Sequence, residues 1–418
     1  MTSVHTAATA AATAGSAAPR KDSDTTPSES ARRRNSSPMT MVDYLRLAAF
    51  IMFFVGHSIM VNLCQLAVSP WLILVSKRVN RKFNQQAERW FCTVLLAATS
   101  IWAPTRLVLT GDRELGSSSA AGDIGGDESS WFAPAVEHGC MLISNHQTYF
   151  DWIIIWILSY LQKCDGYIKI ILKGELKNVP VFGWGMQFLD FMFLKRKWAD
   201  DQRTFETHMQ RIIDHDDPAW LLIFPEGTVV CKKRIAISDA YAAKTGLRRP
   251  EHTLLPRTNG SRVCLNKLRG RIPYIYDLTV GYEGLRKGDI PEDEYGLVSM
   301  YGKSIYPSEV HIHVKRYAVA DIPADEEGFS AWMQNVFVEK DIRMGRFYEL
   351  GHFPHDHEED PAIPVDSPVL RVAKPARAGN LPAELISMWI QFLAIIIPAR
   401  YVLSHVLSGV WHALSGIL

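Results

Sequence analysis

The chain has 418 residues, with 45 Lys and Arg against 44 Asp and Glu. That length admits one large domain or two small ones. A formal net charge of +1 excludes a global pull towards nucleic acid and leaves any preference for anions to local clusters.

In chain order, residues 1–40 are Ala, Thr, Ser, Pro and a few charges with no apolar secretory core, which predicts a disordered tail. From Leu47 to Ser76 there is no Asp, Glu, Lys or Arg, with Phe50 to Val55 as an apolar centre. A membrane span needs about 20 apolar residues, so this run is long enough. Basic clusters lie at both ends, Arg32, Arg33 and Arg34 before it and Lys77, Arg78, Arg81 and Lys82 after it. Because positive charge marks the cytoplasmic side, a hairpin broken near Asn62 or Pro70 rivals a single span. Trp90 to Thr105 is short for a span and is expected to lie in the interface. Leu385 to Leu418 reads as one kinked or two short membrane helices, with Arg400 its only fixed charge and Pro398 nearby.

Between these segments strands alternate with helices. Leu107 to Leu109, Met141 to Ser144, Ile168 to Leu172, Trp220 to Phe224, Tyr274 to Val280 and Val310 to Val314 are predicted strands. Asp151 to Gln162, Ala199 to His215 and Ala331 to Glu349 are predicted helices, and Phe188 to Leu194 fits either. The pattern predicts an α/β fold, a mixed, mainly parallel sheet covered by helices, with N- and C-terminal membrane helices. The expected organisation is a tail over 1–40, membrane helices over 41–106, a catalytic domain over 107–351, a linker over 352–383 and a membrane helix region over 384–418. The six cysteines form no Cys-x-x-Cys pair and sit mostly among apolar neighbours, which favours reduced, buried thiols.

Two polar clusters follow apolar strands: Asn145-His146-Gln147-Thr148-Tyr149-Phe150-Asp151, and Phe224-Pro225-Glu226-Gly227-Thr228. Strand ends are where α/β proteins keep their sites. Asp151 opens a helix, whose N-terminus favours a carboxylate, and a carboxylate on one ring nitrogen of His146 leaves the other free to accept a proton. The bland alternative is a capping Asp beside a structural His. Gly227 permits a tight turn that exposes N–H groups, candidates for an oxyanion contact, and Glu226 could orient a hydroxyl or an arginine. On its own, Pro-Glu-Gly-Thr at a strand end also reads as a plain turn. Lys173 and the Lys195-Arg196-Lys197-Trp198 run suit a phosphate near a membrane surface, or form a solvated charge run.

Together these residues resemble the 1-acylglycerol-3-phosphate (lysophospholipid) acyltransferase family, and are similar to its lysocardiolipin acyltransferase branch. The His-x4-Asp box is His146 to Asp151, and the Phe-Pro-Glu-Gly-Thr box is complete. Branch features are Lys173-Gly-Glu-Leu-Lys, Pro180-x2-Gly-Trp-Gly-Met-Gln, Arg196-Lys-Trp, Leu255-Pro-Arg-Thr and Tyr276-Asp-Leu-Thr, over about Met41 to Pro354. The resemblance implies acyl transfer from acyl-CoA, a co-substrate, to the glycerol hydroxyl of a lysophospholipid, with no cofactor. It implies His146 as general base held by Asp151, Glu226, Gly227 and Thr228 on the acceptor side, and Arg196 as a phosphate contact, with Lys173 beside it. It also implies a membrane enzyme, expected in the endoplasmic reticulum.

Two departures stand out: Asp190 where the family has glycine, and Val229-Val230 where it has Arg-Ser. The lost arginine favours an acceptor bulkier than lysophosphatidic acid, such as lysophosphatidylinositol or lysocardiolipin. Rival readings are a CoA-independent transacylase using the same His and Asp, and a membrane scaffold on a degenerate fold. The His352 to Asp360 stretch reads as a solvated linker rather than a metal site.

Overall fold

The computed structural model of the chain describes residues 34–111, 132–215, 217–354, 372–375 and 380–415. Residues 1–33 of the tail expected over 1–40, the Gly/Ser/Asp-rich residues 112–131 and the acidic, His-rich stretch from residue 355 lie outside the described residues, whereas Asn35 and Ser37 of the same expected tail bond to Ser299 and Lys303.

Helices α1 (Met41–Val75) and α2 (Lys77–Trp102) precede β1 (Arg106–Gly111), β2 (Cys140–Ser144), α3 (Asp151–Leu161) and β3 (Ile168–Lys173). Then follow α4 (Phe182–Phe188), β4 (Met192–Leu194), α5 (Trp198–His215), β5 (Trp220–Ile223), α6 (Lys232–Thr245) and α7 (Thr258–Leu268). The chain continues through β6 (Tyr274–Tyr282), β7 (Glu309–Ala318), α8 (Glu326–Leu350), β8 (Val372–Pro375) and α9 (Leu381–Ser415). The strands form one sheet in the order β4-β3-β5-β2-β6-β7-β1-β8. Five neighbouring pairs are parallel, and β6/β7 and β1/β8 are antiparallel. The expected mainly parallel, helix-covered sheet is the architecture the chain adopts.

The central strands are apolar throughout because both faces are covered. Every residue of β2 and β5 is buried. The pleat sends Leu142 and Leu222 to one core with Trp156 and Trp220, and Met141, Ile143, Leu221 and Ile223 to the other with Phe205 and Phe329. The ambiguous run from Phe188 to Leu194 divides, α4 ending at Phe188 and β4 starting at Met192. Asp190 makes the turn between them at φ 58. Glycine adopts this left-handed conformation at least cost, and Asp is among the few other residues that tolerate it. An ion pair with Arg211 at 2.7 Å anchors Asp190 there.

Of the apolar runs, the first takes the single-helix alternative and the second departs from expectation. α1 runs unbroken through Asn62 and Pro70, started by a capping box of Thr40 and Asp43. Phe50, Val61, Asn62 and Gln65 face inward while Met52, Leu63, Leu66 and Trp71 are exposed. Asn62 does not break the helix because its side-chain amide donates to the Val181 carbonyl at 2.6 Å. Of the stretch expected at the interface, Trp90 to Thr105, the part up to Thr99 packs into the core instead. Trp90, Cys92, Val94 and Leu95 are at most 3% exposed, and Cys92 and Leu95 join the same core as Trp156 of α3. An apolar face is equally suited to lipid and to protein, so hydropathy could not separate the two. At the C-terminus α9 is a single helix with Pro398 inside it. Among the described residues, Met41–Val75 and Leu381–Pro398 are the two helices long and apolar enough to cross a membrane.

Against the central strand β6 lies a fully buried ion pair, Lys340 of α8 to Asp277 at 2.6 Å, with side chains 0% and 1% exposed. The Lys340 ammonium also donates to the Leu278 carbonyl at 2.7 Å. Burial pulls the Lys340 amine below its usual range, against the attraction of Asp277. Removing one partner of such a pair strands a buried charge, at a cost of about 3–5 kcal/mol. Lys340→Met is therefore expected to lower the melting temperature of the purified protein sharply, and Lys340→Met with Asp277→Leu to recover much of the loss. Equal melting temperatures for wild type and Lys340→Met would remove this pair from the account of stability.

Candidate active site

The parallel β2 and β5 end side by side, β6 runs on beside them to Tyr282, and these ends build the site. His146 follows β2, and Asp151 is the first residue of α3, completely buried. His146 Nδ1 lies 2.8 Å from Asp151 Oδ2. The carboxylate can only accept, so Nδ1 carries the hydrogen and, in the neutral ring, Nε2 keeps its lone pair. Among the described residues Nε2 has no hydrogen-bond partner, and His146 lines a cavity of about 1080 Å³. The imidazole stacks on Phe224 with centroids 4.1 Å apart and planes at 18°, which fixes the ring's tilt.

Asp151 is held from several sides. The Thr148 backbone N–H donates to Oδ2 at 3.1 Å, and the Tyr282 hydroxyl donates to Oδ1 at 2.5 Å. Thr148 Oγ1 links to the same phenol at 3.0 Å. Burial first, then the Asp151 charge, pushes the Tyr282 phenol well above its usual range, so it remains a donor.

Glu226 is 3% exposed and does not reach an arginine. Its Oε1 accepts the His146 backbone N–H at 3.1 Å, tying the second box to the first. The Val230 N–H donates to the His146 carbonyl at 3.0 Å, a second tie in the same place. Burial pushes the Glu226 carboxyl well above its ordinary range; the His146 N–H opposes the shift and the Asp151 charge adds to it.

Gly227 makes the turn at φ 70, a conformation that favours glycine. Of the turn's N–H groups, that of Gly227 itself is occupied, donating to the Phe224 carbonyl at 2.9 Å. Among the described residues, the next two amides of the turn, those of Thr228 and Val229, carry no hydrogen bond.

Basic residues gather around this turn. Arg196, in the left-handed region at φ 64, donates from Nη2 to the Gly227 carbonyl at 2.8 Å. The Arg257 side chain stands 3.4 Å from where a Cβ on Gly227 would be, and its backbone N–H donates to the Pro225 carbonyl at 2.8 Å. Burial lowers the Arg196 guanidinium from its usual range, and the Arg257 and Arg234 charges lower it further. Lys173, at the end of β3, lines the same cavity with Arg196, Arg234 and Arg257. Among the described residues none of these four cations has an ion-pair partner. Val229 and Val230, in place of the expected arginine, are each 4% exposed.

The structure thus brings together His146, Asp151, Glu226, Gly227, Thr228, Arg196 and Lys173. Sequence reasoning missed Tyr282, Arg234 and the place of Arg257. The one available signal was Leu255-Pro-Arg-Thr, seen as a branch feature with no position assigned. Away from the cations the cavity turns apolar, walled by Phe54 and Val61 of α1, Trp152 and Trp156 of α3, Ile170 of β3 and Met186 of α4.

Residues 128–272 match the family described as Acyltransferase, and residues 303–373 the one described as Acyltransferase C-terminus. Lysocardiolipin acyltransferase 1 of Danio rerio is 33% identical over 310 residues, 73% of this chain and 72% of that protein. The chain belongs to the lysophospholipid acyltransferase family. It is an O-acyltransferase. An uncharacterised acyltransferase of Schizosaccharomyces pombe is 31% identical, with 76% of this chain and 89% of that protein covered. The 2-acyl-1-lysophosphatidylinositol acyltransferase of Saccharomyces cerevisiae is 34% identical over 53% of this chain and 64% of its own length.

One more carboxyl borders the acyltransferase site. Glu292 Oε2 accepts the Tyr149 backbone N–H at 2.9 Å. Burial pushes it from an ordinary 4.5 to about 7, opposed by that N–H and aided by the Asp151 and Asp293 charges. The native state then holds this proton more tightly than the unfolded chain does. Its contribution to stability is whole below pH 4.5 and is lost as pH rises through about 7. Glu292→Gln keeps an acceptor for Tyr149 and removes the titration. Melting curves should show the variant gaining on wild type across that window, and parallel pH profiles would place Glu292 in water.

Proposed function

We propose that the protein transfers a fatty acyl group from acyl-CoA to the free glycerol hydroxyl of a lysophospholipid, in phospholipid synthesis or remodelling. The observation that carries this reading is the unpartnered Nε2 of His146 facing a cavity whose polar end holds unpaired cations and whose other end is apolar. Nε2 takes the hydroxyl proton as the acceptor oxygen attacks the thioester carbonyl. The new C–O bond forms, the C–S bond breaks, and the imidazolium returns the proton to the departing CoA sulfur. No acyl-enzyme is required. Such acid–base work contributes about 10²–10⁴-fold. Holding the two substrates in register is worth about 7–11 kcal/mol of the barrier. The Thr228 and Val229 amides are suited to the oxyanion that develops on the thioester carbonyl.

Arg196 and Arg257, with Arg234 and Lys173 nearby, are suited to the acceptor phosphate. Arg257, beside the Gly227 turn, adds a cation next to the Val229-Val230 segment that lacks the family's arginine. The relatives named for lysocardiolipin and lysophosphatidylinositol favour those acceptors as the first to assay. The apolar end of the cavity suits an acyl chain. α1 and α9 are the anchors of a membrane enzyme, for which the endoplasmic reticulum is the compartment we expect.

The test is a matrix of lysophospholipids against labelled acyl-CoA with the purified full chain. Wild type should transfer label from acyl-CoA, and His146→Ala should lose about 10²–10⁴-fold in kcat with an unchanged melting temperature. Label arriving only from labelled phospholipid, or full activity in His146→Ala, would overturn the reading. Arg257→Ala should raise the acceptor KM by about 10-fold or more, as expected for a hydrogen bond to a charged group worth about 1.5–3 kcal/mol.

A further inference from the structure

Helix α6 has little reason to be stable in water. It spans 14 residues and buries only Ser238 and Ala242, both small. A helix of this length is marginal alone, and helices in proteins draw most of their stability from packing an apolar face. The helix does have such a face, but it points outward. Ala236, Ile237, Ala240 and Tyr241 form one stripe at helical spacing, all exposed, with Ile237 at 51% and Tyr241 at 55%. Lys233 and Lys244 extend the stripe at its two ends, and both are exposed.

The surrounding charge has one sign. Residues 232–249 hold six basic residues, Lys232, Lys233, Arg234, Lys244, Arg248 and Arg249, against the single acid Asp239. That acid is already paired with Arg249 at 2.9 Å. An exposed apolar stripe fringed by lysine and arginine is the pattern of a helix lying in the plane of an anionic lipid surface.

The stripe also borders the cavity mouth. Ile237 and Tyr241 line the cavity that holds His146, as do the exposed aromatic residues Tyr149 and Trp198, 55% and 40% exposed. Aromatic rings with neighbouring cations concentrate at the headgroup level of membranes. The same cavity continues to Ser58 and Asn62 of α1, whose opposite side is exposed and apolar.

We propose that α6 is an interfacial helix: Ile237 and Tyr241 insert among the lipids of an anionic leaflet, so that the cavity mouth opens into the headgroup layer. A lysophospholipid then reaches His146 by sliding sideways from the leaflet, without crossing water. Lipid covers the face that no described part of the chain covers. The claim concerns where α6 sits and holds whichever lipid is acylated.

Cys231 is the one cysteine not buried, so a Cys231→Ser background permits site-specific labelling. The full chain would carry a nitroxide at Ile237→Cys, in vesicles of phosphatidylcholine containing phosphatidylserine. Ala240→Cys, on the same stripe, is a second site, and Gln202→Cys on exposed α5 is the aqueous control. Collision rates with oxygen and with a water-soluble nickel chelate report the surroundings of each label. The labels at 237 and 240 should collide several-fold more often with oxygen than with nickel, and the label at 202 the reverse. Nickel collisions at 237 and 240 matching those at 202 would overturn the proposal. So would dipolar broadening between labels, which would mark a second copy of the chain as the cover.

Discussion

The whole site depends on a carboxylate with no exposed surface. Asp151 has the His146 ring, the Thr148 backbone and the Tyr282 hydroxyl as donors, and without them a buried charge in that position would be costly. Each donor comes from a different requirement of the fold. His146 is delivered by the end of β2, Thr148 by the tight turn into α3, and Tyr282 by the end of β6. The carboxylate therefore reports whether these strands and the helix are in register. The imidazole it holds has a fixed tautomer, a fixed tilt against Phe224 and one unpartnered nitrogen.

The second box serves the first before it serves any substrate. Glu226 is buried and holds the backbone of His146, and Val230 holds it again from the other side. Gly227 bends the chain so that Thr228 and Val229 present free amides beside Arg196 and Arg257. Asp341 of α8 adds a further brace: its carboxylate accepts the backbone N–H groups of Glu251, His252 and Thr253 at 2.7–3.0 Å. That brace steadies the loop leading to Arg257. The polar end of the cavity is thus built by long-range contacts around a short local motif.

The sequence revealed what depends on local pattern. β2 and β5 were legible because strands covered on both faces are apolar throughout, and His146 and Asp151 because only four residues lie between them, across one turn. The Tyr282 contact was not legible, since it depends on β6 lying beside β2, with the partners 131 positions apart in the chain. The gathering of Arg196, Arg234 and Arg257 likewise needs two loops and the first turn of α6 to converge. Burial of Trp90 to Thr99 escaped notice because lipid and protein interiors select the same side chains. Asp190 is the reverse case: it read as a departure from the family's glycine, yet its backbone adopts the left-handed turn that glycine would provide.

The most direct test of this account is a structure of the full chain with a lysophospholipid and an unreactive thioether analogue of acyl-CoA. The acceptor hydroxyl oxygen should lie about 2.6–3.2 Å from His146 Nε2, with Nδ1 still on Asp151 and the thioether beside the Thr228 and Val229 amides. A ternary complex in which the hydroxyl sits elsewhere and Nε2 faces neither substrate would contradict it.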